Sequence, residues 1–145
     1  MRYFLDTEFN GFCGPLISLA LVPEEASAAP FYQAVPCAHP TAWIAEHVLP
    51  VLGTDPVPRA ELGALLAEYL GDDPDPLLVA DWPEDIAHAA MALIASPGHR
   101  HPIDRIRFEL CDALGFDAAA LSAVPHNAYH DAVALRDFLL ARETA

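Results

Sequence analysis

Short apolar runs separated by turn residues fill the first quarter of the chain and predict strands. Residues 2–6, Arg2-Tyr3-Phe4-Leu5-Asp6, read as a short central strand, and 15–22, with Leu16-Ile17-Ser18-Leu19-Ala20-Leu21-Val22, as a second. Residues 30–35 read as a third, because Phe31, Gln33 and Val35 alternate with Tyr32 and Ala34. The period then becomes helical. Pro40 opens a pattern in which Trp43, Ile44 and Val48 recur before Pro50 limits it, and Pro58 opens another with Leu62, Leu65, Leu66 and Leu70 on one side and Gly71 as its stop.

The acidic, proline-broken stretch 71–76 predicts a loop, and Leu77-Leu78-Val79-Ala80 a buried strand. Helical character returns over 84–95 and stops at Ser96-Pro97-Gly98. From His101 to Phe116 the pattern fits strand and helix equally. From about Ala128 to Arg142 it is helical, with Ala132, Leu135 and Leu139 on one stripe. The expected fold is α/β, a mixed central sheet whose first three strands are antiparallel, flanked by helices, in one domain over 1–145.

Composition narrows the function classes. Acid at Asp6 comes too early for a signal-peptide apolar region, and 16–22 is too short to span a bilayer, so a cytoplasmic protein with no membrane partner is expected. Cys13, Cys37 and Cys111 form an odd count without a Cys-x-x-Cys pair, which argues for reduced thiols; Cys37-Ala38-His39 has no second half for a metal site. The formal charge is −14, from 21 acids against 7 bases, all arginine, and that speaks against broad attraction to a polyanion.

Against that background the candidate chemistry sits at the two ends of the chain. Phe4-Leu5-Asp6-Thr7-Glu8-Phe9 places Asp6 and Glu8 on one face of a strand, since side chains alternate with period two. Near the other end, His126-Asn127-Ala128-Tyr129-His130-Asp131 adds a carboxylate and two imidazoles. Two hard divalent cations about 3.5–4 Å apart, with an attacking water, need a ring of carboxylates of this kind, and such ions cancel four carboxylate charges locally. After the 77–80 strand, Asp81, Glu84 and Asp85 offer a further acid; their plain alternative role is to cap and charge the following helix. His126 and Asp131 would point about 140° apart on one continuous helix. With Asn127 as N-cap after Pro125, however, His126 lies on the preceding loop and can reach back toward Asp131's surroundings. His130 is the rival base. His99, Arg100 and His101, with Arg105 or Arg107, are either solvated loop residues or phosphate contacts.

The motifs Phe4-Leu5-Asp6-Thr7-Glu8-Phe9-Asn10-Gly11, Asp81 to Asp85, and His126 to Asp131-Ala132 resemble, in order, those of the DEDDh exonucleases. The first residues together with Trp43 and His47-Val48-Leu49-Pro50 are most similar to the small bacterial exoribonucleases of the RNase AS type. The resemblance implies a ribonuclease H-like fold and 3′→5′ hydrolysis of single-stranded RNA to nucleoside 5′-monophosphates. It further implies two Mg²⁺ or Mn²⁺ ions held by Asp6, Glu8, Asp85 and Asp131, His126 as general base, and a homodimer. Substrate contacts would come from Thr7, Phe9, Asn10, Gly11 and Phe12. The family has Asn where Asp81 stands, so Asp81 competes with Asp85. A DNA exonuclease and a catalytically silent binding module of the same fold are the alternatives.

Overall fold

The computed structural model describes residues 1–145. Strands β1 (Arg2–Phe9), β2 (Leu16–Pro23) and β3 (Phe31–Ala34) come first, then α1 (Ala42–His47), a 3₁₀ turn at Leu49–Val51, and α2 (Arg59–Leu70). They are followed by β4 (Leu77–Ala80), α3 (Pro83–Ala92), β5 (Ile94–Ser96), β6 (His99–Arg100), β7 (Arg107–Leu110), α4 (Ala118–Leu121) and α5 (Ala128–Glu143). One sheet has the order β3-β2-β1-β4-β7, and β5-β6 is a separate hairpin. The large sheet is mixed: β3-β2 and β2-β1 are antiparallel, β1-β4 and β4-β7 parallel.

Helices cover both faces, which is why every residue of β2 is buried. Odd-numbered residues of β1, Tyr3 and Leu5, join Leu19, Leu21, Leu66, Leu70 and Leu78 in the main core under α2 and α3. Even-numbered Phe4 packs with Val79 and Leu135 of α5. Beside it, Ala20 and Val22 meet Ala128 and Ala132, small residues that let the start of α5 lie close on the sheet. The β1–β2 ladder shifts between Glu8 and Phe9, leaving Ile17 as the extra residue of a bulge. Ile17 packs instead with Ala34, Ile44, Val48 and Leu52, which anchors α1 at the same end of the sheet.

Several elements differ from expectation. β1 runs on to Phe9 rather than ending at residue 6, so it carries both Asp6 and Glu8. The helix expected over 84–95 ends at Ala92, and Ile94–Ser96 turns back on His99–Arg100. Pro97-Gly98, with Gly98 at φ 77°, forms a turn that suits a hairpin as well as a helix stop, and the hairpin wins here. The ambiguous stretch from residue 101 to 116 contributes β7, and α4 was not anticipated at all. No helix is long and apolar enough to cross a membrane.

Where α2 crosses the end of α3 and the hairpin, the contact depends on a missing side chain. A Cβ on Gly63 would lie 2.0 Å from the Ala92 carbonyl oxygen and 2.6 Å from the His101 ring. Gly63→Ala should therefore cost about 1–3 kcal/mol through overpacking, read as a lower midpoint in urea unfolding. A cost below about 0.5 kcal/mol would mean that the hairpin moves aside freely.

Candidate metal centre

The chemistry gathers where the parallel strands part. β1 pairs with β4 only as far as Phe4 and Val79, and the same register, continued, brings Asp81 alongside Asp6 at the carboxyl end of the sheet. Asp85 enters from the first turn of α3 and Asp131 from the first turn of α5. Oxygen atoms of Asp6, Asp81 and Asp85 all lie within 4.8 Å of one another, as do those of Asp6, Glu8 and Asp131. Asp6 belongs to both groups. Asp81 and Asp85, rivals in the sequence, thus stand together, whereas Glu84 turns away to accept from the Trp82 indole N–H (3.0 Å) and the Cys13 backbone N–H (2.9 Å).

The cluster is crowded and poorly solvated. Asp85 and Asp131 are 3% and 5% exposed. Asp6 Oδ2 and Asp131 Oδ1 are buried without any hydrogen-bond partner. Burial, and then the charges of Asp85, Glu8, Asp131 and Asp81, hold the Asp6 carboxyl well above the usual range. Burial followed by Asp131 and Asp85 pushes Glu8 up to about 8. Asp85 rises to about 7, chiefly through burial and against the hydrogen bonds from Thr7. Asp81 and Asp131 are also raised, again mainly by burial. Orphaned acceptor oxygens in a ring of carboxylates are the donor set that a hard divalent cation takes, and these acidic groups could hold a metal ion.

Local folding explains each placement. Asn127 is the N-cap of α5, its side-chain oxygen accepting from the N–H groups of Tyr129 (3.0 Å) and His130 (3.3 Å). Its Nδ2 donates to the carbonyls of Val51 (2.8 Å) and Leu52 (3.2 Å), tying the helix start to the turn after α1. His126 accordingly sits outside the helix, in the left-handed region at φ 67°, with its backbone N–H donating to Asp131 Oδ2 at 3.1 Å. Its ring stands edge-on to Trp43, centroids 4.9 Å apart. His130 lies on another side of α5, in a groove with Val133, Asp137 and Phe138.

A cleft of about 460 Å³ opens in front of Asp6, Glu8, Asp81 and Asp85. Phe9, Gly11 and Phe12 line it, Phe12 being 89% exposed, and Trp43 and Trp82 stand half exposed on its walls. Gly11 holds φ 78°, which favours glycine. Two residues expected to touch substrate have other partners. Thr7 is buried and donates to Asp85 Oδ1 from both its hydroxyl (2.6 Å) and its N–H (3.1 Å). Asn10 donates to the His39 carbonyl (2.7 Å) and accepts from the Thr41 N–H (2.9 Å), clamping the segment before α1. Sequence reasoning missed Trp82 as a cleft wall and Trp43 as the neighbour of His126. For Trp82 the available signal was its place inside Asp81-Trp82-Pro83-Glu84-Asp85; Trp43 stands in no acid motif.

No protein-family model matches the chain, and no curated protein matches it.

The raised carboxyls have a consequence for stability. A carboxyl whose folded pKa lies above its unfolded value binds its proton more tightly in the fold, so folding is favoured on the acid side. For Glu8 that stability is lost as pH rises from about 4.5 to about 8, and for Asp85 from about 3.8 to about 7. In chelator, the melting temperature should fall between about pH 5 and pH 8, and saturating Mn²⁺ should raise it most at the upper end. Asp6→Asn should raise the metal-free melting temperature at about pH 8 and abolish the Mn²⁺ effect. A melting temperature in chelator that climbs over that range would contradict the crowding described.

Proposed function

We propose that this protein is a 3′→5′ exoribonuclease with a ribonuclease H-like fold, cleaving single-stranded RNA from its 3′ end by a two-metal-ion reaction. The observation that carries the reading is Asp6, shared between two carboxylate groups and left with a buried, unpartnered oxygen. A bridging carboxylate with acids on both sides is what a pair of cations on one phosphodiester requires. Asp6, Glu8, Asp85 and Asp131 would hold the ions, with Asp81 beside Asp85. Mg²⁺ or Mn²⁺ at this centre would supply charge neutralisation for the phosphodiester and a water of lowered pKa.

The remaining work falls to the chain's own groups. Thr7 spends both its donors on one oxygen of Asp85 and so fixes how that carboxylate presents the other. The His126 imidazole takes the proton from the attacking water, and Trp43 limits the ring's rotation from one side. Phe12, Trp43 and Trp82 offer faces on which bases stack, a mode of holding single strands that needs no positive charge. Gly11 leaves the backbone open to the terminal sugar.

The test is hydrolysis of a 5′-labelled RNA oligomer, with matched DNA alongside. Stepwise shortening from the 3′ end should need Mg²⁺ or Mn²⁺ and stop in excess chelator, and full activity in chelator would reject the two-metal reading. Asp6→Asn should abolish turnover. Asp85→Asn should be more damaging than Asp81→Asn, because only Asp85 is oriented by Thr7. DNA cut as fast as RNA would replace the ribonuclease by a general exonuclease.

His126→Ala should keep Mn²⁺ binding while slowing single-turnover cleavage by about 10²–10⁴-fold, the usual loss for a general base. His130→Ala should have little effect, since its ring faces a different groove. The opposite pattern would transfer the base to His130.

A further inference from the structure

All 7 basic side chains are arginines, and five are held by carboxylates. Arg2 pairs with Glu24 and Glu143, Arg105 and Arg107 with Asp75, Arg136 with Asp137, and Arg142 with Asp112. Arg59 and Arg100 have no acidic partner. Arg59 donates through Nη2 to the Leu16 carbonyl (2.7 Å) and Arg100 through Nη1 to the Ile103 carbonyl (2.6 Å). Both side chains belong to exposed residues, and most of each guanidinium's five N–H donors remain free.

One of the two lines a groove, and the other pairs with a residue of its lining. Arg59, Leu62, His88, Met91 and Ile94 line a groove of about 400 Å³, and Arg100 lies across the hairpin from Ile94. Every other sizeable cleft includes at least one aspartate, whereas this groove has no carboxylate in its lining. In a chain with 21 acids, that sets this recess apart, with Arg59 in its lining and one acid, Glu84, acting on His88 from outside it. It also adjoins the metal cleft: the Phe9 ring, which lines the cleft, rests on the His88 ring, which lines the groove, with centroids 4.9 Å apart.

We propose that this groove is a phosphate-binding extension of the cleft, in which Arg59, backed by Arg100, holds a backbone phosphate of the single strand upstream of its 3′-terminal nucleotides. The proposal rests on the nuclease reading of the cleft and adds the course of the strand beyond it. A guanidinium presents a planar fork that matches two phosphate oxygens. Leu62, Met91 and Ile94 give an apolar wall for the attached sugar and base. On this proposal a dinucleotide seated in the cleft would leave the groove empty, so only longer strands would gain from it.

The experiment compares wild type, Arg59→Ala, Arg100→Ala and Arg105→Ala at saturating Mn²⁺, on a ribodinucleotide and on an RNA of about 12 nucleotides, with affinity read on a phosphorothioate form of the longer strand. Arg59→Ala should weaken binding of the longer strand about tenfold and leave KM for the dinucleotide within about twofold. At about 0.7 per phosphate on a single strand, the slope of log affinity against log salt should fall in magnitude by about 0.7. Arg100→Ala should shift affinity the same way, and Arg105→Ala, already paired with Asp75, should shift neither. Unchanged affinity in both Arg59→Ala and Arg100→Ala, or equal losses on short and long substrates, would overturn the proposal. A wild type that cleaves the dinucleotide but shows no length preference would overturn it alone. One that neither binds nor cleaves either substrate would overturn the nuclease reading and this proposal with it.

Discussion

Repulsion among buried carboxylates is the constraint around which the rest of this structure is arranged. Two unit charges at the 4.8 Å limit of the Asp6 groups repel by about 3–4 kcal/mol at an effective dielectric of 20. A hydrogen bond returns a net of about 1 kcal/mol, or about 1.5–3 kcal/mol when it goes to a charged group. Thr7's bonds to Asp85 and the His126 N–H to Asp131 therefore cannot offset several such pairs. The cluster must take up protons or cations, and the raised carboxyls describe the first option. An arrangement that costs this much without counter-ions is better understood as a site than as packing.

The fold holds the acids together by approaching them from three directions. β1 brings Asp6 and Glu8 along the middle of the sheet, α3 brings Asp85 over one face, and α5 brings Asp131 over the other. Both helices point their N-termini at the acids, but a helix end contributes only about 0.3–1 kcal/mol. Orientation by the dipoles is thus a minor term beside the repulsion. What lets α5 come close enough is the absence of bulk: Ala20, Ala128 and Ala132 lie at the contact, and larger residues there would lift Asp131 away from Asp6. Asn127 then locks the height of the helix by bonding across to the turn after α1.

Much of this was legible in the residue pattern, for reasons that differ by element. Apolar runs marked β1 and β2 and period-two alternation marked β3, and the same alternation put Asp6 and Glu8 on one face. Applied once more, that rule sets Thr7 on the opposite face, toward α3, where it is found holding Asp85. The start of α5 followed from Asn127 and Pro125 because capping is a local interaction. The grouping of Asp81 with Asp85 around Asp6 was not legible, since it comes from the parallel register of β1 on β4 across more than 70 residues of chain. Spacing within a motif made those two acids competitors; tertiary pairing made them neighbours. The β5–β6 hairpin was hidden for a different reason, because Pro97-Gly98 ends a helix and makes a tight turn equally well.

On the nuclease reading, an acidic chain must attract a polyanion without a basic surface, and charge acts on two separate scales. At physiological salt the field of a surface acid fades within about 8 Å, so most of the −14 formal charge is felt weakly inside a given cleft. Within the cleft, on that reading, two divalent cations would cancel four of the five carboxylate charges gathered around Asp6, and Phe12, Trp43 and Trp82 would add stacking worth about 1–3 kcal/mol per base, largely insensitive to salt. On that view the surface acids penalise non-specific adhesion along a long strand more than they penalise an end seated in the cleft. A basic track would hold the middle of a strand as readily as its terminus. Recognition through cations and stacked bases at the end of a sheet would instead favour the one part of the strand that needs no continuous track, which is its end.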